Sequence, residues 1–268
     1  MARGHDSIHD APMPQMPTRF TARRIAIALV LVVVYWGCVE TTGFSPVAIA
    51  DGMPALWDMG RHMLPPDVEI LPKLGKPFLE TLYIGVLATI IGSVLAIPVG
   101  FMAASNMSHP VIYYPVRMVL TVFRAVSEII WALLFVVAVG LGPMAGILAL
   151  IVFAVGVQSK LVAEAVEAVD PGPLEAMRAT GARPWKVFLY GAWPQVLPLY
   201  LSFALYFWDH NTRQATILGF VGAGGLGEQL IWDINVYEFE KATTSVLLII
   251  LLITVIDRLC LYLRKKIL

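Results

Sequence analysis

The sequence predicts an all-α membrane protein of about six transmembrane helices with both termini in the cytoplasm. Three observations carry this. The 268-residue chain is 58% hydrophobic and only 14% charged, far more apolar than a soluble domain of average usage. Residues 25–41, 82–104, 118–140, 143–161, 196–209 and 242–262 each approach the roughly twenty apolar residues that cross a hydrocarbon core. With the N-terminus inside, Arg19, Arg23, Arg24, Lys160, Arg178, Arg183, Lys186, Arg264, Lys265 and Lys266 fall on the cytoplasmic side, against Arg61, Lys73, Lys76, Arg213 and Lys241 outside. That is the positive-inside bias.

Residues 1–18, with His5, His9 and no apolar period, read as a disordered cytoplasmic tail; two histidines without further ligands do not make a metal site. Residues 19–81 hold the first span and a proline-rich outer loop, with a short interfacial helix near residues 53–63. Ala48-Ile49-Ala50 resembles a signal-peptidase site, but it lies too far beyond the apolar run, so an uncleaved first span is expected. Residues 82–268 form the core. Ala88, Gly92, Ala96, Gly100 and Ala104 put a small residue at every fourth position of the second span, a stripe that lets another helix approach closely.

Arg117, Arg124 and Glu128 share one face if residues 118–140 are a single helix. Ionisable groups at membrane depth must pair or face water. Either they line an anion path, or Arg124 and Glu128 pair with each other while Arg117 sits at the headgroups. Residues 196–208 return outward and lead into Asp209, His210, Asn211 and Arg213, the last expected in an outer loop. Gly222, Gly224 and Gly227 fit G-x-G-x-x-G, yet with membrane spans on both sides there is no strand–helix–strand unit to make it a dinucleotide site. Such glycines can instead expose backbone amides to an anion or let helices cross. Asp257 in the last span reads as a helix-end contact. Cys38 and Cys260 fall near opposite faces, too far apart for a disulfide. A net charge of zero gives no basic surface for nucleic acid.

The most informative stretch is a polar island, residues 170–198, within a coupling loop of about residues 162–195. Asp170-Pro171 suits an N-cap and first helical position, Gly181 a left-handed helix end, and Pro184 the first turn of a second helix. Two short helices joined by a sharp bend are expected, the first with Leu174, Met177 and Thr180 on a face, the second apolar along Trp185, Val187 and Phe188.

Glu175, Ala176, Gly181, Ala182, Trp185, Phe188, Pro194 and Pro198 resemble the EAA motif of membrane subunits of bacterial ATP-binding-cassette importers, with Met177 where the motif has a second alanine. Residues 124–142, RAVSEIIWALLFVVAVGLG, and 213–227, RQATILGFVGAGGLG, are similar to segments of phosphonate-import permeases. Ser127 stands where the first pattern has proline, which argues against a kink there. The resemblance implies a type I ABC importer permease fold in the bacterial cytoplasmic (inner) membrane, with a cytoplasmic coupling helix. It implies a cytoplasmic ATP-binding subunit dimer carrying ATP and Mg, a second permease subunit, identical or related, and an extracytoplasmic phosphonate-binding protein.

On that basis Glu175, Ala176, Gly181, Ala182, Trp185 and Phe188 are expected to couple to the ATPase, with Trp185 and Phe188 burying the second short helix. Arg124, Glu128, Arg213, Gly222, Gly224 and Gly225 are expected along the translocation pathway. No G-x-x-x-x-G-K-[ST] occurs, so no cofactor and no catalysis are expected of this chain. The substrate expected is a phosphonate, with phosphate or phosphite as the alternative. An ion-coupled secondary transporter would rely on Glu128 and Asp257 as carriers, and a membrane enzyme on Asp209 and His210.

Overall fold

A computed structural model describes residues 22–267, with side chains from residue 26 onward. The tail over residues 1–18, its two histidines and Arg19 therefore lie outside the described residues. The chain divides into two units, residues 1–58 and 59–268. The first holds α1 (Ala22–Thr42) and most of α2 (Pro46–His62). α1 is apolar and exposed along its length, with Val33 and Trp36 about 70% accessible, as a lipid-facing helix requires. α2 is longer than the interfacial helix expected near residue 53.

In the second unit a 3₁₀ turn, Val68–Ile70, runs into α3 (Leu71–Ala103), so the span expected from residue 82 begins at Leu71. After it come α4 (Pro110–Ala125), α5 (Glu128–Val139), α6 (Pro143–Glu167), α7 (Pro171–Ala179), α8 (Pro184–Val187), α9 (Trp193–Gly219), α10 (Gly225–Asn235) and α11 (Phe239–Ile267). α3 and α6 form the central pair; α9 packs on both, α4 and α5 lean on α6, and α11 lies against α9.

The small-residue stripe is the reason α3 and α6 pack so closely. A Cβ on Gly92 would stand 2.9 Å from that of Ala154, and one on Gly100 would stand 2.7 Å from Val162. Ala88, Ala96 and Ala104 on the same stripe are fully buried. At one end of the bundle Ala103, Ala104, Val162 and Val166 pack with Leu174, Val187 and Phe188. At the other, Leu74 and Leu226 meet Leu252 and Ile256. There α10 is tied to α11 through Asp233, whose carboxylate accepts from Gln229 at 2.7 Å and Ser245 at 3.4 Å. Burial pushes that carboxyl above the usual range, and the two hydrogen bonds offset part of the rise.

Among the described residues three helices alone are long and apolar enough to cross a membrane, and up to five spans result if each bent pair counts as one. The expected sixth is α9, 27 residues long, whose second half carries Asp209, His210 and Arg213. Those residues thus lie inside a helix and not in an outer loop, and Asp257 likewise falls within α11 instead of at its end. The expected single helix over residues 118–140 is a pair bent by 92°. Val126 and Ser127 are both extended (ψ 128° and 154°), so two backbone rotations turn the chain without a proline. Trp131 stabilises the turn: its indole donates to the Phe123 carbonyl at 3.2 Å and its ring meets Phe123 edge-on. That bond satisfies one of the carbonyls a helix end leaves orphaned.

Candidate functional site

The polar island forms a compact element keyed into the end of the bundle. Asp170 caps α7 by accepting from the Gly172 amide at 3.0 Å, and its own amide donates to Gln195 of α9 at 3.2 Å. α7 closes on Gly181, whose φ of +75° is the left-handed value the sequence predicts there. Pro184 opens α8 as its first residue. α8 is not a separate helix, however. It passes through a π-helical turn, Phe188–Ala192, directly into α9.

The inner face of this element is buried and its outer face is bare. Leu174, Val187 and Phe188 are 4%, 2% and 8% accessible, and the Phe188 ring lies 5.0 Å from Phe101 and 5.8 Å from Trp193. Arg178 donates to the Asn106 carbonyl at 2.7 Å and Asn106 to the Val166 carbonyl at 2.9 Å, which links α7 to the α3–α4 turn and to the end of α6. Glu175, Ala176 and Gly181 are exposed, Ala182 is half-buried, and Trp185 is 51% accessible with Lys186 over its ring. Burial of Trp185, expected from the sequence, does not occur. Its position on a four-residue helix turns the indole away from the core that Val187 and Phe188 fill.

A second constellation lies about two-thirds of the way along α9. His210 Nε2 sits 3.0 Å from Glu128 Oε1, with side-chain accessibilities of 24% and 11%, and the imidazole is stacked between Phe153 and Tyr206. The expected Arg124–Glu128 pair is absent because the 92° turn carries Glu128 off the Arg124 face; its carboxylate, at the first residue of α5, also faces that helix's positive end. Arg213 pairs with Asp209 at 2.6 Å and approaches Asp257 at 4.0 Å. One cation between two carboxylates offers an incoming anion little net attraction. Next to these, Asn211 is fully buried and donates to Thr89 at 2.9 Å.

Glu128 and His210 hold each other in a partly dry setting, so deleting either leaves a polar group without its partner. Glu128→Ala and His210→Ala are each expected to lower stability by about 1–3 kcal/mol, and the double variant by clearly less than their sum. Thermal unfolding of the three variants in detergent checks this; strict additivity would show the pair to be energetically idle.

The glycine segment beyond α9 is a third candidate. Gly222, Gly224 and Gly225 all have positive φ, between 78° and 84°. Its amides are directed inward: Gly222 to Gly219, Ala223 to Leu218, Gly225 to Glu80 and Leu226 to Thr81. The Gly222 carbonyl accepts from Gly142 at 2.8 Å. The segment thus fastens α9 to α3 and to the α5–α6 turn, and the anion cradle expected from its amides is not formed by these four.

The family described as binding-protein-dependent transport system inner membrane component matches residues 96–268, a range that holds the three constellations apart from Glu80, Thr81 and Thr89 of α3. The chain belongs to this family. Two relatives extend the match. The chain is 38% identical over 257 residues to the phosphate-import permease protein PhnE of Mycolicibacterium smegmatis, covering 95% of this chain but 48% of that protein. It is 35% identical over 240 residues to the phosphite transport system permease protein PtxC of Stutzerimonas stutzeri, covering 89% of this chain and 87% of that one. Thus it spans about half of the first relative and most of the second. An inward-facing structure of the MetNI methionine ABC transporter superposes with a TM-score of 0.66 at 24% identity, over 75% of this chain and 99% of that one. The fold is therefore that of a type I ABC importer permease, and the permease is a multi-pass inner-membrane protein.

The sequence anticipated the Asp170 cap, the left-handed Gly181 and the helix start at Pro184 because their signals are local. It missed the Glu128–His210 pair, whose partners are 82 positions apart, although the polar cluster Asp209, His210 and Asn211 after an apolar run was the available hint.

Proposed function

We propose that this permease imports a phosphorus oxyanion, a phosphonate first of all and otherwise phosphate or phosphite, by alternating access driven by ATP hydrolysed on a partner subunit. The observation that carries the mechanism is the two-faced element over residues 170–192. Its buried face makes it part of the bundle, so it moves with the bundle as one body. Its exposed face, with Glu175, Ala176 and Trp185 around the Gly181 turn, offers a rigid knob to an ATPase groove. Closure of an ATPase dimer then displaces rigid helices between inward-open and outward-open arrangements.

The substrate class rests on the two relatives and on the resemblance of residues 124–142 and 213–227 to phosphonate permeases. The pathway we propose follows Arg124, Glu128 and Arg213, with Gly222, Gly224 and Gly225 shaping its opposite end. A second permease, identical or related, completes the pore, and an extracytoplasmic binding protein delivers the anion. The deciding measurement is ATP hydrolysis by the assembled complex in lipid, with its binding protein and methylphosphonate, phosphate or phosphite in turn. Stimulation by one of them assigns the substrate; no stimulation by any removes the oxyanion reading. Uptake that persists without ATP and follows the proton gradient would instead favour an ion-coupled carrier.

Glu175 is exposed and has no structural partner among the described residues, so its replacement tests docking separately from folding. Glu175→Ala is expected to leave the melting temperature within a degree or so of wild type and to weaken ATPase binding about tenfold or more, the loss of a charge-assisted contact. Pull-down with the purified ATPase checks it, and undiminished binding would move the docking surface elsewhere.

A further inference from the structure

On α4, Leu120 and Thr121 lie one turn after Arg117 and Arg124 lies two turns after it, so all four share one face. That face looks onto Ala103 at the end of α3 and Lys160 of α6, and together these residues enclose a pocket of about 80 Å³. This exceeds the space a single water needs several-fold. Three of its six lining residues are cations, and no carboxylate lines it.

The three cations are not equivalent. Arg117 is fixed and neutralised: it donates to the Ala103 carbonyl at 3.0 Å, pairs with Glu167 at 2.8 Å, and its guanidinium lies 4.6 Å from the Tyr113 ring centre. Lys160 pairs with Glu164 one turn along, at 3.2 Å. Arg124, half-buried, has no ion pair and no hydrogen bond among the described residues. Three positive and two negative charges leave one unit uncompensated, and it belongs to Arg124. A guanidinium at this level of a membrane protein is costly unless something anionic or aqueous meets it.

The depth is informative. Lys160 lies seven residues before the end of α6, about 10 Å along its axis, on the end of the bundle that carries the coupling element. That is within reach of the lipid headgroup layer. A planar fork beside an ammonium matches the oxygens of a tetrahedral anion, and basic pockets between helices on this side of a membrane suit acidic headgroups.

We propose that the Arg117–Arg124–Lys160 pocket binds a phosphate-type oxyanion, presented either as the headgroup of an acidic lipid or as a free anion, with Arg124 supplying the open charge. Arg124 also lies on the pathway proposed above, so the free-anion outcome rests on the transport reading, whereas the headgroup outcome holds whichever anion is carried. The chemistry is shared by both sources, and two probes separate them. The permease–ATPase complex in neutral detergent is titrated with phosphatidylglycerol, read as bound lipid by native mass spectrometry, and with radiolabelled inorganic phosphate, read by equilibrium dialysis. Contributions from the ATPase cancel in the comparison of wild type with Arg124→Gln, Lys160→Gln and Arg124→Lys.

Arg124→Gln is expected to weaken one probe about tenfold, Lys160→Gln the same probe less, and Arg124→Lys is expected to restore most of the binding. Loss confined to phosphatidylglycerol identifies a lipid headgroup site; loss confined to phosphate identifies a free-anion site near the cytoplasmic exit. Should Arg124→Gln fail to assemble, Lys160→Gln and Arg124→Lys decide alone. Unchanged binding of both probes in the variants that assemble overturns the proposal.

Discussion

Gly227→Ala is expected to keep the permease from accumulating in folded form. A Cβ built on Gly227 collides with the Thr216 carbonyl oxygen and lies 2.8 Å from its carbon. The opposing position is no freer: a Cβ on Gly219 would stand 2.6 Å from the Glu228 amide nitrogen and 2.7 Å from Gly227 Cα. These are backbone atoms, which no rotamer change can move aside. α9 and α10 would have to separate, and with them the hydrogen bonds that fasten the glycine segment to Glu80, Thr81 and Gly142. Overpacking of this kind costs about 3 kcal/mol or more when the neighbour cannot yield. Gly75→Ala provides the control, since Gly75 lies inside α3 with open space around its Cβ position. It should be neutral or slightly stabilising. Yield and melting temperature of detergent-solubilised protein decide the matter, and comparable values for both variants would show that α9 and α10 part more easily than their contacts imply.

Gly181→Val is expected to do the opposite, sparing the fold and abolishing coupled uptake. Nothing lies within 4 Å of a Cβ at Gly181, so no packing is lost. The penalty is conformational: a β-branched residue held at φ +75° costs on the order of 1–3 kcal/mol. The turn is exposed, and the cheapest response is a local change of its path. That response would rotate Glu175 relative to Trp185, so the surface offered to the ATPase changes while the bundle remains intact. Gly181→Asn should retain much of the uptake, because asparagine tolerates the left-handed region. Membrane level, ATP hydrolysis and uptake, measured together, separate the cases. Wild-type uptake by the valine variant would mean that the bend is not part of coupling.

The contrast between these two glycines shows what a sequence can disclose. Gly181 was legible because its role is set by neighbours a few positions away: a cap at Asp170, a helix of ordinary length, a proline at 184. The stripe from Ala88 to Ala104 was legible for the same reason, as a period within one helix. Gly227 was read as one of a cluster of glycines that can let helices cross, but that its partner is Thr216 on another helix needed the structure. The break at Ser127 was missed because its causes, two extended residues and an indole reaching back to Phe123, carry no compositional mark. Arg213 looked like an anion ligand while its neighbours were unknown; Asp209, one turn away, was in view, but Asp257 needed α11 to be placed against α9. Trp185 was expected inside because it is large and apolar, but on a four-residue helix it faces away from the core that Val187 and Phe188 fill.

The direct passage of α8 through the π-helical turn into α9 has a mechanical consequence. From Pro184 to Gly219 the chain has no loop, and the 27 residues of α9 alone reach about 40 Å. A rod of that length works as a lever between the element over residues 170–192 and the glycine segment. Tilting it by about ten degrees would swing the tip through roughly 7 Å on that length, a large stroke from a small push. The π-helical turn, Phe188–Ala192, sits at the near end of this rod. With its wider bonding step, it is the place where the rod can slip a fraction of a turn and set how much of the push arrives.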